Sequence, residues 1–294
     1  MKKSSTRIFV ILARNAPLGV IFRRGPSKQV QLIKWHLGSD KLEYGQWFKG
    51  RIYERRCDLS PSGDFLAYFA AKNKKPLYCW TAVSKPPYLT ALALWPKRFG
   101  AWGGGGLWES ELTLLLNHEA GERDLMEGFH LKKDMKTRPL GEYSGRGEDD
   151  PLYHTRLLRD GWVLKDQGEC QKPDWKAKVT WVYTRPQIYQ KACGEHLLQM
   201  QTKGVHQQDG PWYLIDYAFL TKEGEALFTL PDTDWADWDG DGNLLFARAG
   251  KLFRLNKKNF ARFKTKGDEA LKEIADLNHL KFEAKAAPAK ATVW

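Results

Sequence analysis

Short runs of β-branched and aromatic residues, separated by turn-forming residues, dominate the chain, and this texture is the mark of an all-β protein. Strands are expected at residues 8–13, 18–23, 29–35, 51–57, 65–70 and 77–83, with no helical period among them. The pattern continues at 88–95, 111–117, 152–158, 161–164, 179–184, 188–192, 196–201, 212–220, 226–230, 244–248 and 251–255. Ser62-Gly63, Glu223-Gly224, Asp241-Gly242 and Ala249-Gly250 each place a glycine where a tight hairpin needs positive φ, so most strands should be antiparallel neighbours. Residues 108–117 fit a short helix as well as a strand, because Leu112, Leu114, Leu115 and Leu116 match either period.

Two segments repeat one another. Asp58-Leu59-Ser60-Pro61-Ser62-Gly63-Asp64-Phe65-Leu66-Ala67 and Asp237-Trp238-Asp239-Gly240-Asp241-Gly242-Asn243-Leu244-Leu245-Phe246 share an order: Asp, apolar, polar, two turn positions, Gly, Asp or Asn, then an apolar strand. Internal repetition is a sign of propellers and solenoids, and a weaker third copy at 94–102 follows the first by close to one blade, typically ~40–45 residues. The first copy resembles the blade signature of WD-repeat and TolB-type β-propellers, in which this turn joins the first two strands of a blade. The resemblance implies an all-β propeller of about five antiparallel blades, or six, over residues 1–262. Residues 263–294 are expected to hold a short helix, capped by Asp268 and running to Leu277, and then a mobile tail rich in Ala and Lys at 285–291.

Composition narrows the class. A hydrophobic share of 42% can offset the entropy of ordering, so the chain is globular. Lys and Arg exceed Asp and Glu by 47 to 35, a net +12 that favours anionic partners such as nucleic acid. The surplus gathers at Lys2 and Lys3, at Lys72, Lys74 and Lys75, and at 257–266, and Trp95-Pro96-Lys97-Arg98-Phe99 interleaves cations with aromatics. The plainest reading of such clusters is a solvated surface. Cys57, Cys79, Cys170 and Cys193 lie in no metal-ligand spacing, and the first two fall in apolar runs where a thiol acts as a small hydrophobe. The apolar run 8–13 is too short for a signal peptide, and no stretch approaches the ~20 residues of a membrane span. A cytoplasmic protein without membrane contact is expected.

Candidate chemistry is sparse. Asp237, Asp239 and Asp241 sit at positions 1, 3 and 5 of an EF-hand-type calcium loop, but Arg248 stands where the bidentate Glu belongs, so a structural turn is favoured. Gly103-Gly104-Gly105-Gly106 lacks the Lys-Ser/Thr of a phosphate loop, and close backbone approach explains it better. His118-Glu119 lacks the second histidine of a zinc-protease helix, and Ser110 lacks the glycines of a nucleophile elbow. Asp149 with Asp150, or Asp232 with Asp234, are the acids a propeller glycosidase would need. Of the thirteen tryptophans, Trp80, Trp95 and Trp181 lie inside strands and are expected in the core, whereas Trp102, Trp108, Trp235 and Trp238 lie near turns and are expected at the surface.

The functional expectation is a non-enzymatic scaffold, a propeller subunit that binds another protein in a larger complex. Nucleic acid or another anionic polymer is the alternative partner, and a propeller-type glycoside hydrolase is a third reading. No cofactor, metal or catalytic residue is expected.

Overall fold

The structure, a computed structural model, describes residues 6–26, 28–98, 100–208 and 210–294. The chain divides into two compact units: unit 1 is Met1–Arg156 with Leu277–Trp294, and unit 2 is Leu157–Asp276.

Unit 1 begins with a four-stranded meander of β1 (Arg7–Leu12), β2 (Leu18–Arg24), β3 (Gln29–His36) and β4 (Lys41–Lys49). In its second sheet β5 (Arg51–Ile52) and β6 (Asp58–Leu59) both pair with β7 (Leu66–Ala71), followed by β8 (Cys79–Ser84) and β9 (Ala93–Lys97). The third sheet holds β10 (Gly106–Trp108), β11 (Thr113–Leu116) and β12 (Lys136–Pro139), the last parallel to β11. Residues 113–116 therefore settle as strand rather than helix. Every residue of β7 and of β8 is buried, which is why these two strands read as unbroken apolar runs. Phe22, Leu32, Ile52, Leu66, Tyr68 and Trp80 form one core cluster, and Trp95, Trp108, Leu114 and Met135 belong to another.

Unit 2 contains a six-stranded sheet of β13 (Trp162–Asp166), β14 (Glu169–Cys170), β15 (Val179–Cys193), β16 (His196–Gln207), β17 (Tyr213–Thr221) and β18 (Ala226–Leu230). Its second sheet is a meander of β19 (Thr233–Trp238), β20 (Leu244–Arg248), β21 (Lys251–Leu255) and β22 (Lys272–Asp276). The expected strands at 179–184 and 188–192 are one long strand, bent by a register shift between Val182 and Gln187.

The four expected turn glycines, Gly63, Gly224, Gly242 and Gly250, all take positive φ. Both copies of the repeated segment build the same turn. In the first, Gly63 N–H donates to Ser60 O at 2.9 Å, and Ser60 Oγ accepts from Phe65 N–H at 3.1 Å. In the second, Gly242 N–H donates to Asp239 O at 3.1 Å, and Asp239 Oδ1 accepts from Asn243 N–H at 2.8 Å.

Two expectations need correction. Residues 152–158 lie in a helix, α1 (Leu152–Arg159), because Leu152, Tyr153, Arg156 and Leu157 share one buried face, and Asp150 Oδ1 caps the start by accepting from His154 N–H at 3.3 Å. The helix expected from Asp268 instead lies earlier, as α2 (Phe260–Lys266), and the residues after it form β22, whose Ala275 pairs with Leu252. The tail, Leu277–Trp294, belongs to unit 1. Buried Arg23 donates to the carbonyls of Leu277 and Leu280, both at 3.1 Å, and Gln46 Nε2 donates to Lys285 O at 3.0 Å. Trp294 Nε1 donates to His130 O at 2.9 Å, and its ring packs 5.5 Å from Phe65.

Candidate functional site

The glycine-rich segment lies at the centre of a buried polar network in unit 1. Gly103, Gly104 and Gly105 have φ of 69°, 88° and 93°, and a Cβ on Gly104 would penetrate the Phe69 ring. Their N–H groups are spent internally: Gly103 on Gly147 O at 2.7 Å, Gly104 on Asn117 O at 2.7 Å, and Gly105 on Thr81 Oγ1 at 2.8 Å. These donors are committed to the fold and make no phosphate cradle. The Arg56 guanidinium reaches the same segment, donating to Gly103 O and to Asp149 Oδ1, each at 2.8 Å.

Beside the glycines, Thr81 Oγ1 lies 2.7 Å from His118 Nε2, and His118 Nδ1 lies 2.9 Å from Glu122 O. A carbonyl can only accept, so Nδ1 carries the proton and Nε2 accepts from Thr81. Burial, aided by the Lys97 ammonium, pushes the His118 pKa down to about 4 and keeps the ring neutral. Lys97 pairs with Glu122, and both side chains are almost fully buried. Burial raises the Glu122 pKa, but the Lys97 contact and the Arg98 N–H, 2.8 Å away, outweigh it and hold the carboxyl below its ordinary range. Thr81 and His118 are fully buried, so the arrangement offers no hydroxyl to a substrate and acts as structure.

The acidic loop of unit 2 is likewise a structural turn. The two Asp239 carboxylate oxygens accept from Asp241 N–H at 3.0 Å, Asn243 N–H at 2.8 Å, Asn243 Nδ2 at 2.9 Å and Arg254 Nη1 at 2.8 Å. Asp237 Oδ1 accepts from Lys191 Nζ at 2.6 Å and Trp238 N–H at 2.7 Å. Arg254 and Lys191 each pair with one of these carboxylates, and among the described residues no group of three acids, histidines or cysteines is placed to hold a metal. The proposed glycosidase acids are placed as follows: Asp149 binds Arg56, Asp150 caps α1, Asp232 is an exposed turn residue with φ of 53°, and Asp234 lies in β19.

Accessibility separates the tryptophans differently from the sequence expectation. Trp80 and Trp95 are core residues as expected, and Trp102 is exposed. Trp108, Trp235 and Trp238 are buried: Trp108 packs with Phe65, and Trp238 Nε1 donates to Lys191 O at 3.1 Å. Trp181 is 37% exposed, and Trp175, which the alternation did not flag, is 65% exposed. These two belong to a chain of four rings at one end of the six-stranded sheet. Trp181 and Trp175 lie 6.3 Å apart, Trp175 and His206 5.6 Å, and His206 and Trp212 4.3 Å. Interplanar angles of 78°, 63° and 38° make this a knob of edge-packed rings rather than a flat stacking platform.

The knob rests on a defined backbone. The loop before β15 folds back as Gln171 N–H donates to Val182 O at 2.9 Å and Asp174 N–H to Thr180 O at 3.0 Å. Gln208 N–H donates to Lys178 O at 2.9 Å, joining the two loops, and the Thr180 hydroxyl lies 2.8 Å from His206 Nδ1. Lys172, Lys176, Lys178 and Asp174 flank Trp175 in the chain and are exposed.

The basic segment around Trp95 is not a surface as a whole. Trp95 and Lys97 are buried, Arg98 is exposed, and Phe99 lies outside the described residues, as do Lys2 and Lys3. Lys72, Lys74 and Lys75, also in unit 1, are exposed.

Fold and sites together define an all-β protein of several antiparallel sheets with few short helices. No family model matches the chain, and no curated protein matches it. A 1.18 Å crystal structure of the uncharacterized protein lmo1340 from Listeria monocytogenes aligns over 94% of this chain and 85% of its own, at 10% identity and a TM-score of 0.31. Among the described residues no helix is long and apolar enough to cross a membrane.

Proposed function

We propose that this chain is a non-enzymatic interaction protein that engages another protein through the aromatic knob of unit 2. The carrying observation is the exposure of Trp175 and Trp181 within a cluster of four touching rings. An indole left in water forgoes the ~1.5–3 kcal/mol that burial of a large apolar side chain supplies. Clustered tryptophans are also the residues that anchor protein interfaces. Non-parallel rings suit insertion into a cleft better than stacking on a flat sugar, and the exposed lysines next to Trp175 in the chain favour a partner cleft with an acidic rim.

The proposal includes a divergent β-propeller, with the sheets as blades. Support comes from the meanders β1–β4 and β19–β22, four strands each, and from the repeated turn, which joins an outer strand to the next both at β6–β7 and at β19–β20. A reducing, cytoplasmic setting fits the four free thiols, of which Cys57 and Cys79 are buried with their pKa pushed up by desolvation.

The interface is tested by affinity purification from the native host with nuclease present, comparing wild type with a Trp175→Ala/Trp181→Ala variant. Loss of two anchors should weaken the complex by about 2–4 kcal/mol, so a nuclease-resistant partner retained by wild type should be absent from the variant. An identical set of bound proteins would reject the knob as the interface.

A further inference from the structure

Unit 1 carries a second surface, built from three loops at one end of its first two sheets. Gly25 and Lys28 belong to the turn between β2 and β3, Lys49, Gly50 and Arg51 to the junction of β4 and β5, and residues 72–78 to the loop between β7 and β8. The loops touch through backbone. Gly50 N–H donates to Lys28 O at 2.8 Å, Arg51 pairs with Ala71, and Lys72 and Asn73 both donate to Tyr78 O, at 3.0 and 3.1 Å. A Cβ at Gly50 would lie 2.6 Å from Ala71 O, so only glycine permits this approach.

The chemistry of the surface is one-sided. Lys28, Lys49, Arg51, Lys72, Lys74 and Lys75 project from these loops, which contain no Asp or Glu. The five lysines are exposed, and among the described residues none of them forms an ion pair. Some lysines elsewhere are matched, as Lys191 is by Asp237 and Lys251 by Glu273 and Asp276. The nearest acid in sequence, Glu54, is taken by Arg24 at 2.5 Å. Aromatic rings support the cations: Lys49 Nζ lies 4.1 Å from the Phe282 centroid, the Arg51 guanidinium 4.4 Å from that of Tyr53, and Lys72 Nζ 5.5 Å from that of Phe48. Tyr78 is 46% exposed in the same loop group.

The five lysines of these touching loops form no ion pair with an acid among the described residues, so an anion that repeats along a chain can meet them at several points at once. The cations are point charges on separate loops, which suits a series of phosphates better than one buried phosphate. Tyr78 offers a ring on which an unpaired base can stack. A lipid surface would need apolar side chains to insert, and Tyr78 is the one large hydrophobic residue exposed in these loops among the described residues. We propose that this loop end of unit 1 binds the phosphate backbone of a single-stranded nucleic acid, with Tyr78 stacking on a base. The proposal is independent of the knob in unit 2 and of its partner.

The test is fluorescence anisotropy of the full chain with labelled 20-nucleotide oligo(U) and oligo(dT), beside a 20-base-pair duplex and phosphatidylserine vesicles. If about four phosphates are neutralised, log affinity should fall against log salt with a slope near −3, or about 50-fold from 50 to 200 mM. Lys72→Gln/Lys74→Gln/Lys75→Gln should weaken binding at least 10-fold and flatten that slope by about 2. Tyr78→Ala should weaken it about five-fold or more. Lys257→Gln/Lys258→Gln/Lys264→Gln, in unit 2, should leave it unchanged. Oligo(U) and oligo(dT) binding alike supports backbone recognition, and preference for one names the natural polymer. No binding at 50 mM salt, wild-type affinity in the triple loop variant, tighter binding of duplex, or binding of vesicles alone overturns the proposal. Unaltered thermal melting of the exposed-lysine variants separates lost binding from lost folding.

Discussion

Replacing Lys97 with methionine is expected to lower the free energy of unfolding by about 3–5 kcal/mol, as measured by urea titration. The ammonium of Lys97 meets Glu122 where both side chains are shielded from water, and Arg98 N–H holds the second carboxylate oxygen. Removing the cation leaves a buried carboxylate with one backbone donor. Desolvation of an unpaired charge exceeds the net value of the pair, so the loss is larger than any surface salt bridge could produce. The same reasoning predicts strong coupling. A Lys97→Met/Glu122→Leu double variant should recover most of the lost stability, because an apolar pair of similar volume carries no desolvation debt. A single variant within about 1 kcal/mol of wild type would show that the pair is not buried in solution.

Acid should destabilise the protein well before ordinary carboxylates titrate, through His118. Its folded pKa is held near 4 by burial and by Lys97, against the accepting Glu122 carbonyl, whereas an unfolded histidine titrates near ~6.5. The unfolded chain therefore takes up the proton first. The stabilisation is full above about pH 6.5 and is lost progressively as pH falls from there through the folded pKa. Over the whole window it amounts to roughly 3 kcal/mol at ~1.4 kcal/mol per pH unit. Glu122, whose pKa is also depressed, adds loss of the same sign at lower pH. Urea midpoints of wild type should fall between pH 7 and pH 4.5, and His118→Asn should show a flatter profile. Parallel profiles for the two proteins would mean that His118 does not titrate as its burial requires.

Both predictions rest on a network that the sequence does not announce. Arg56, Thr81, Lys97, His118, Glu122 and Asp149 are scattered over about ninety positions, with no motif linking them, and they meet because β7, β8 and the glycine segment pack together. His118-Glu119 drew attention only as a failed zinc motif. The glycines were legible as a place of close approach, since a run without Cβ atoms has few other uses, but what they approach, Asn117, Thr81 and Phe69, was not.

The strands were legible where burial imposed a period. β1, β2, β3, β7, β8, β20 and β21 fall close to their expected limits because one or both faces are covered. β4 was missed because Gly45 interrupts its apolar pattern, and the reason for that glycine is tertiary: a Cβ there would lie 2.5 Å from that of Pro87. α1 was misread although its start signal, an acid before proline, was present, since a short apolar run fits either period. β22 carried helix-like spacing, yet pairing with β21 and the Lys251 contacts to Glu273 and Asp276 fix it as an edge strand.

What the sequence determined by itself was local: an all-β chain, its antiparallel turns, and the repeated turn at Asp58 and Asp237, each set by φ preferences and side-chain alternation among neighbours. What only the tertiary structure decided was exposure. Trp108 and Trp181 both lie in strands, and Lys97 and Lys72 are the same residue type, yet one of each pair is buried and the other faces water. Their fate depends on which distant segment covers them, and a single chain of letters holds no record of that until the sheets have packed.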